Sequence, residues 1–184
     1  MSDLDPRSLR NAFGTFMTGV TVVTTQSSEG VPIGFTANSF TSVSLDPPMV
    51  LVCCGHKLSC LPVFQESRRF AINILSEDQQ DISDRFARFQ GDRFEGLDWQ
   101  NSELGNPLIH ECSAWFDCRL DQTIDAGDHL ILLGEVTGYH HADLAGLGFY
   151  RGGYFKPALE RRAAEVQSRQ DKVLVGAIVE EDGA

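Results

Sequence analysis

The amino-acid sequence predicts a mainly β protein, an antiparallel β-barrel with peripheral helices. Its 184 residues suit a single domain with a core of its own. Six or seven short segments have the composition of strands, and turn-forming residues separate most of them. Helical periodicity is confined to two or three segments that do not alternate regularly with the strands, which disfavours a parallel sheet. Short strands joined by frequent turns favour a closed barrel over a sandwich.

The first half of the sequence predicts a helix, a hairpin and two buried strands. Asp5 is a candidate N-cap and Pro6 suits the first helical position, so a helix begins there and ends by Gly19. The predicted elements of this half are that helix, a hairpin of strands 20–25 and 31–38 around a Ser-Ser-Glu-Gly turn, a fully buried strand at 49–54, a short helix at 60–66 and a second buried strand at 70–75.

The second half of the sequence predicts one helix and a long hairpin. Ser76 and Gln79 form a capping box, and an apolar face then recurs at helical spacing as far as Phe89. Residues 112–120 alternate between two sets of side chains, which is typical of a strand. The predicted elements of this half are the helix after Ser76, an irregular excursion at 90–106, a hairpin of strands 112–120 and 129–137, a last strand at 147–155 and an amphipathic helix at 157–170.

The charge and the hydropathy pattern exclude several classes of partner. The formal net charge is −11 and no run of Lys or Arg occurs, which disfavours a nucleic-acid surface or an anionic-membrane surface. An anionic small ligand is compatible with this charge, because a few local donors can hold a phosphate. No segment is apolar for long enough to span a bilayer, and the first residues contain no signal-peptide core. We therefore expect a cytoplasmic protein without a membrane partner.

Familiar catalytic motifs and metal-binding patterns do not occur in the sequence. It contains no P-loop, no G-x-S-x-G and no G-x-G-x-x-G. The five cysteines include no C-x-x-C pair, so we expect small buried thiols, Cys112 and Cys118 among them, and not a zinc site. His140 and His141 are adjacent, and on a strand they face opposite sides and cannot chelate one metal together. These observations predict a protein without a metal and without a Rossmann fold.

Five segments, in order, carry a resemblance to a known family. They are Phe-Met-Thr-Gly-Val-Thr-Val-Val-Thr at 16–24, the fifteen residues Gly-Phe-Thr-Ala-Asn-Ser-Phe-Thr-Ser-Val-Ser-Leu-Asp-Pro-Pro at 34–48, residues 70–75 with 83–87, Gly-Asp-His at 127–129 and Phe-Tyr-Arg-Gly-Gly-Tyr at 149–154. Together they resemble the flavin reductase-like family, the FMN-binding split-barrel reductases of two-component monooxygenases. The resemblance implies an antiparallel split β-barrel that works as a homodimer, with the reductase domain at 1–156 and a C-terminal helical extension and tail at 157–184.

The resemblance also implies an activity. A protein of this family is an NAD(P)H:flavin oxidoreductase, which transfers a hydride from NADH or NADPH to FMN or FAD and supplies reduced flavin to a separate monooxygenase. No cluster of arginines is evident in the sequence to hold a second phosphate, which favours NADH over NADPH. Three alternatives stay open: a non-catalytic flavin- or haem-binding split barrel, a small-molecule barrel without flavin, and a flavin-bound reductase of another substrate such as a corrinoid.

A flavin-binding set follows from the same resemblance. Residues 36–39 supply hydroxyls and amides for the isoalloxazine and ribityl groups, and Lys57 with Ser59 forms a plausible phosphate clamp. Phe86 also fits the core stripe of its own helix, and Lys57 also reads as a solvated loop lysine. The full set implied for flavin is Thr36, Ala37, Asn38, Ser39, Ser42, Cys53, Lys57, Ser59, Asn73, Ile74, Phe86 and Phe94.

A nicotinamide-binding set is implied near the end of the resemblance. It contains His129, Arg151, Gly152 and Tyr154, with His129 as the catalytic residue that helps to place the hydride donor. Hydride transfer depends chiefly on orientation and distance, so His129 need not donate a proton. Arg151 suits a pyrophosphate and Tyr154 suits stacking on a ring. The structural alternatives are a turn histidine bonded to its neighbours, and a strand-face pair at positions 151 and 154.

Overall fold

The computed structural model describes residues 4–157, which form three short helices and twelve strands. The helices are α1 (Pro6–Phe13), α2 (Leu61–Ser67) and α3 (Gln80–Arg88). The strands are β1 (Thr18–Gly19), β2 (Thr21–Gln26), β3 (Pro32–Ala37), β4 (Thr41–Leu45), β5 (Pro48–Gly55), β6 (Arg69–Ile74), β7 (Trp99–Asn101), β8 (Pro107–Ile109), β9 (Ala114–Ala126), β10 (His129–His141), β11 (Gly148–Tyr150) and β12 (Gly153–Phe155). The prediction of a mainly β protein is confirmed, and the extension predicted at 157–184 lies outside the described residues from position 158 onward.

Seven of the strands form one antiparallel sheet in the order β3-β2-β6-β9-β10-β5-β4. The hairpins β2–β3 and β9–β10 are paired as the sequence predicts, and β9 and β10 are longer than expected, at 13 residues each. Two small sheets accompany the large one: β1-β11-β12 joins the start of the chain to its last described strands, and β7-β8 is a short hairpin. Among the residues in this range, no helix is long and apolar enough to cross a membrane.

The large sheet curls around a single apolar cluster. Phe35 from β3 and Val52 from β5 belong to the same cluster, although these strands are far apart in the order of the sheet. Phe64 of α2 is 1% exposed and meets Phe35 edge-on, with 5.3 Å between the ring centroids. Burying such a ring stabilises the fold by about 1.5–3 kcal/mol. Backbone pairing within the described chain leaves β3 and β4 as the two edges of the sheet, so the closed barrel that the sequence predicts stays a prediction.

Local sequence signals lie at the N-terminal ends of α1 and α3. The carboxylate of Asp5 accepts hydrogen bonds from the backbone N–H groups of Arg7 and Ser8, at 3.4 and 2.9 Å, which confirms the predicted N-cap of α1. Only half of the predicted capping box forms at α3. The Gln79 side chain accepts from the Ser76 N–H at 3.0 Å, and the helix begins at Gln80 with no side-chain cap.

Three predictions of strand structure were wrong. The predicted strand at 147–155 is a hairpin of β11 and β12, because Arg151 and Gly152 adopt φ values of 47° and 82° and reverse the chain. Strand β4 was not predicted: Val43 and Leu45 alternate with Ser42 and Ser44, but the segment is short, rich in hydroxyls and lies directly before the Asp46-Pro47-Pro48 break. The apolar run at 49–54 is not fully buried: Val52 faces the core, whereas Leu51 and Cys53 are half-buried on the outer side of β5.

The five cysteines are free thiols. Cys112 and Cys118 are buried, which confirms the prediction of small hydrophobic side chains at these two positions. Burial raises the pKa of the Cys112 thiol to about 12, so this group stays protonated at neutral pH. In the part of the chain that the structure describes, no three His, Cys, Asp or Glu side chains come together as a metal site.

Gly134→Ala is expected to destabilise the fold by overpacking. A Cβ at position 134 would lie 2.5 Å from the Phe70 ring and 3.1 Å from the Cys118 Cβ, in a part of the core where neither side chain can move away. The expected loss of unfolding free energy is about 1–3 kcal/mol, measured by urea denaturation. Gly138→Ala is the control on the same strand, since its Cβ would meet only ordinary contacts at 3.8 Å and beyond. Equal losses for the two variants would contradict the packing described here.

Candidate active site

A cleft of about 830 Å³ lies between the end of α1 and the β11–β12 turn. Its lining contains Asn38, predicted for flavin, as well as Arg151 and Gly152, predicted for nicotinamide. The cleft is lined by Ser8, Arg10, Asn11, Ala12, Phe13, Gly14, Thr15, Phe16, Thr18, Asn38, Phe149, Arg151 and Gly152. The contribution of α1 was not predicted, because its polar helical pattern gives no sign that it lies across from residue 151.

Backbone contacts hold the two sides of this cleft together. The Arg151 N–H donates to the Gly14 carbonyl at 2.8 Å, and the Gly14 N–H donates to the Arg10 carbonyl at 2.9 Å, which ends α1. Strand β1 follows directly and pairs with β11, with Thr18 opposite Phe149. The short β1-β11-β12 sheet therefore fixes α1 next to the turn that carries Arg151.

Residues 36–39 use most of their polar groups to hold their own position. The Thr36 hydroxyl donates to the Ser83 carbonyl at 2.7 Å, and the Ala37 carbonyl accepts from the Thr21 hydroxyl at 2.9 Å. The Ser39 hydroxyl accepts from the Cys53 N–H at 3.0 Å and donates to the Cys53 carbonyl at 3.2 Å. Within this segment, Asn38 is the exposed residue and its side chain faces the cleft. A ligand would thus meet a rigid backbone and the Asn38 amide.

A hydrogen-bonded chain connects this segment to the nicotinamide set. Ser83 on α3 accepts from Thr36 through its carbonyl, and its hydroxyl lies 2.9 Å from the Tyr154 hydroxyl. The Tyr154 hydroxyl donates to the Asp84 carboxylate at 3.2 Å. The Tyr154 ring meets Phe149 edge-on at 5.4 Å, so it is oriented by its neighbours. Thr36 and Tyr154, 118 positions apart in the sequence, are therefore both positioned by α3.

A second cleft, of about 550 Å³, contains Ser59 and Phe94 from the predicted flavin set. Lys57 is exposed and does not line it. Arg93 does line it, and its guanidinium donates to the Gly34 carbonyl at 2.7 Å and to the Phe89 carbonyl at 3.0 Å. These two bonds hold a half-buried cation in a lining that also contains Ser59 and the acidic Asp92. A guanidinium and a hydroxyl together suit a phosphate. Arg93 was not predicted, because it lies in the irregular segment between α3 and β7 and no sequence motif connects it to Ser59.

His129 lies at the first position of β10, opposite Gly55 at the end of β5. Its Nδ1 is 2.7 Å from the Asp128 carboxylate, and the hydrogen bond and charge of His129 lower the pKa of Asp128. This end of β5 also contains Cys53, whose backbone binds Ser39. His129 is exposed and lines neither of the two clefts. The predicted catalytic residue is thus at the same end of the barrel strands as Ser39, outside the cleft that contains Asn38.

Three members of the predicted flavin set have side chains that pack in the interior, and their contact with a flavin stays a prediction. Asn73 is fully buried: its amide donates to the Val22 carbonyl at 3.1 Å and accepts from the Ile109 N–H at 2.9 Å. Phe86 is 1% exposed and meets the 6% exposed Phe94 edge-on at 5.0 Å. Asn73 fastens the β7-β8 hairpin to the large sheet, and the two rings fill a second apolar cluster.

The remaining members of the predicted flavin set, Ser42, Cys53 and Ile74, lie apart from both clefts. Ser42 is exposed on β4 opposite Val50, and Ile74 is half-buried at the end of β6 opposite Thr21. Cys53 carries a half-buried thiol on the outer side of β5 and takes part in the site through its backbone bonds to Ser39.

Comparison with known proteins identifies the family. The flavin reductase like domain matches residues 13–158, so the chain belongs to the flavin reductase like family. It is 52% identical, over 97% of its length, to the reductase component of a flavin-dependent trigonelline monooxygenase from Acinetobacter baylyi, and spans 58% of that protein. It is 49% identical to the FMN reductase (NADH) SmoA of Agrobacterium fabrum, covering 80% of this chain and 84% of that protein.

A solved structure shares the fold. The NADH:FAD oxidoreductase SgcE6 of Streptomyces globisporus superimposes with a TM-score of 0.79 at 37% identity, covering 86% of this chain and 99% of that one. The five sequence segments that carried the resemblance lie within the region of the family match.

Asn73→Ala is expected to lower the unfolding free energy by about 2–3 kcal/mol, because it leaves the buried Ile109 N–H and Val22 carbonyl without their partner. Chemical denaturation measures the loss. Asn38→Ala is the matched control: this asparagine is exposed, and its removal should change stability by less than about 0.5 kcal/mol. Unchanged stability of Asn73→Ala would favour the ligand-binding role that the sequence suggested for this residue.

Proposed function

We propose that this chain is an NAD(P)H-dependent flavin reductase, which transfers a hydride from NADH to FMN or FAD and supplies the reduced flavin to a separate monooxygenase. Membership of the family supports the reaction class. The observation that carries the proposal for this chain is the cleft in which Asn38 from the flavin segment lies beside Arg151 and Gly152. A reductase of this kind needs one site that presents a flavin to a dinucleotide, and this cleft is lined by one residue of the predicted flavin set and two of the predicted nicotinamide set. The reaction also agrees with the expected cytoplasmic location.

The polar groups of the site fit a flavin nucleotide. The backbone at residues 36–39 is held in place by Thr36 and Ser39, so its N–H and carbonyl groups need no rearrangement to meet a heterocycle. Ser59 and Arg93 offer hydroxyl and guanidinium donors for a terminal phosphate in the second cleft. A bound flavin supplies the hydride acceptor, and the protein contributes position and electrostatics.

The residues of the first cleft would orient the hydride donor. Asn38 can hold the carboxamide or the ring edge of a dihydronicotinamide by hydrogen bonds, and Arg151 can hold its phosphates. The Phe149 ring forms an apolar wall of the cleft, and Tyr154 and Ser83 support it from behind. His129 is held near Asp128 and lines neither cleft, so its role in placing the donor stays a prediction from the resemblance.

We also propose that the fold is a split barrel that works as a homodimer. Leu51 on β5 and Ile131 and Leu133 on β10 lie on the outer side of the sheet and are only half-buried. Ile124 on β9 is 43% exposed on the same side, opposite Ile131. A continuous apolar sheet face of this kind suits a second copy of the chain, because monomers rarely leave such a face in water.

Steady-state oxidation of NADH with FMN, FAD and riboflavin supplied in turn tests the proposed reaction. Asn38→Ala should raise the KM for the flavin or for NADH by about tenfold, since it removes a hydrogen bond worth about 1.5 kcal/mol. Gln100→Ala is the matched control, because Gln100 is an exposed amide on β7 that belongs to neither predicted set and lines neither cleft. Flavin binding without any loss of nicotinamide absorbance would overturn the reductase and favour a non-catalytic binder.

Leu133→Lys is expected to convert a dimer to a monomer, since it places a charge in the proposed apolar interface. Light scattering after gel filtration gives the mass, and circular dichroism checks that the monomer keeps its fold. Gln80→Lys on α3 is the control and should leave the mass unchanged. A wild-type chain that is monomeric at micromolar concentration would refute the dimer and leave the proposed reaction to its own test.

A further inference from the structure

We infer that the C-terminal half of α1 is part of the dinucleotide site, where Arg10 and Arg151 together bind the pyrophosphate of NADH. This inference rests on the proposed function and adds to it a residue, Arg10, from outside the predicted nicotinamide set. The sequence shows no cluster of arginines, whereas the folded chain places these two arginines in the lining of one cleft. The two residues are 141 positions apart in the chain and line the same cleft.

Backbone hydrogen bonds through Gly14 connect the residues that carry these two side chains, Arg10 and Arg151. Gly14 donates its N–H to the Arg10 carbonyl and accepts the Arg151 N–H at its own carbonyl, at 2.9 and 2.8 Å. A single residue thus connects the last turn of α1 to the β11–β12 turn. The space enclosed between them, about 830 Å³, is large enough for a nucleotide.

The charge of the cleft differs from that of the whole chain. The chain has a net charge of −11, yet the lining of this cleft contains two arginines and no acidic residue. Within residues 4–157, no carboxylate oxygen lies within 4.0 Å of either guanidinium, whereas Arg88 and Lys156 each have an acidic neighbour. The guanidinium of Arg151 instead lies 5.3 Å from the centroid of the Tyr150 ring. Two cations without acidic partners suit a ligand with two negative charges.

The backbone of Arg151 supports a role for its side chain. Its φ of 47° lies in the left-handed region, and it occupies a two-residue hairpin turn where Gly, Asn or Asp is favoured. The neighbouring Gly152 adopts φ 82° without strain. The Cβ of an arginine makes this backbone conformation less favourable than it would be for glycine, and strain of this kind is found more often at functional sites.

Aromatic side chains complete a surface for a nucleotide. Phe13 and Phe16 line the cleft and are 69% and 77% exposed, so their rings offer open faces beside the two arginines. A nucleobase stacks on such faces. With the nicotinamide at Asn38 and the pyrophosphate between Arg10 and Arg151, the adenine would lie against α1.

Binding of ADP-ribose, which has the pyrophosphate and adenine but no nicotinamide, tests the inference without turnover. Calorimetry should give a dissociation constant that rises at least about tenfold in Arg10→Gln and in Arg151→Gln, because each loses a charge-assisted hydrogen bond. Arg7→Gln is the matched control on the same helix, since Arg7 does not line the cleft, and it should bind like the wild type.

Kinetics with two hydride donors give a second readout. Arg10→Gln should raise the KM for NADH and leave both the flavin KM and the KM for 1-benzyl-1,4-dihydronicotinamide unchanged, because the benzyl compound has no phosphate. Equal effects on both donors, equal effects of Arg7→Gln, or a wild type that does not bind ADP-ribose would overturn the inference. A wild type that binds ADP-ribose but oxidises no NADH would instead refute the proposed function and leave this site in place.

Discussion

The site depends on the approach of two strands that are not neighbours in the sheet. Strand β3 is one edge, β5 lies close to the other, and the sheet must curl before they meet. Phe35 and Phe64 drive the curl from inside, and the Ser39 hydroxyl fastens the outcome by bonding both backbone groups of Cys53. The Ser39 hydroxyl thus makes two hydrogen bonds to the backbone of Cys53, which in a β-sheet would be made by the backbone of a neighbouring strand. Residues 36–39 are thus held in place at the point where the end of β3 approaches β5.

The contact between the end of β3 and β5 also explains why the first cleft has one rigid side and one exposed side. On the rigid side, Thr36 is bound to α3, and α3 in turn holds Tyr154 through Ser83. On the other side, α1 and the Arg151 turn are held mainly by backbone hydrogen bonds and by the two-residue strand β1. The first cleft therefore has one side that is firmly held and one side that is open to solvent.

The sequence predicted most of the strands and one end of the cleft, because these leave local signals. Alternation and turn residues located β2, β3, β9 and β10, and the resemblance singled out Asn38 and Arg151, which line one cleft. It could not separate ligand contacts from core contacts: Asn73 and Phe86 lie in the right segments, and only the packing shows that their side chains point inward. Arg10 and Arg93 were missed for the opposite reason, since nothing local connects them to residues that approach only after the chain has folded.

The absence of buried side chains on α1 has a thermodynamic consequence. An eight-residue helix is marginal in water by itself, and α1 contributes no residue to either apolar cluster. Its order therefore relies on the Asp5 cap, on the Gly14–Arg151 contact and on whatever occupies the space beside it. Formation of α1 and binding in the cleft are then linked equilibria. The observed binding free energy of a ligand is smaller than its intrinsic value, because part of it offsets the entropy lost when α1 becomes ordered.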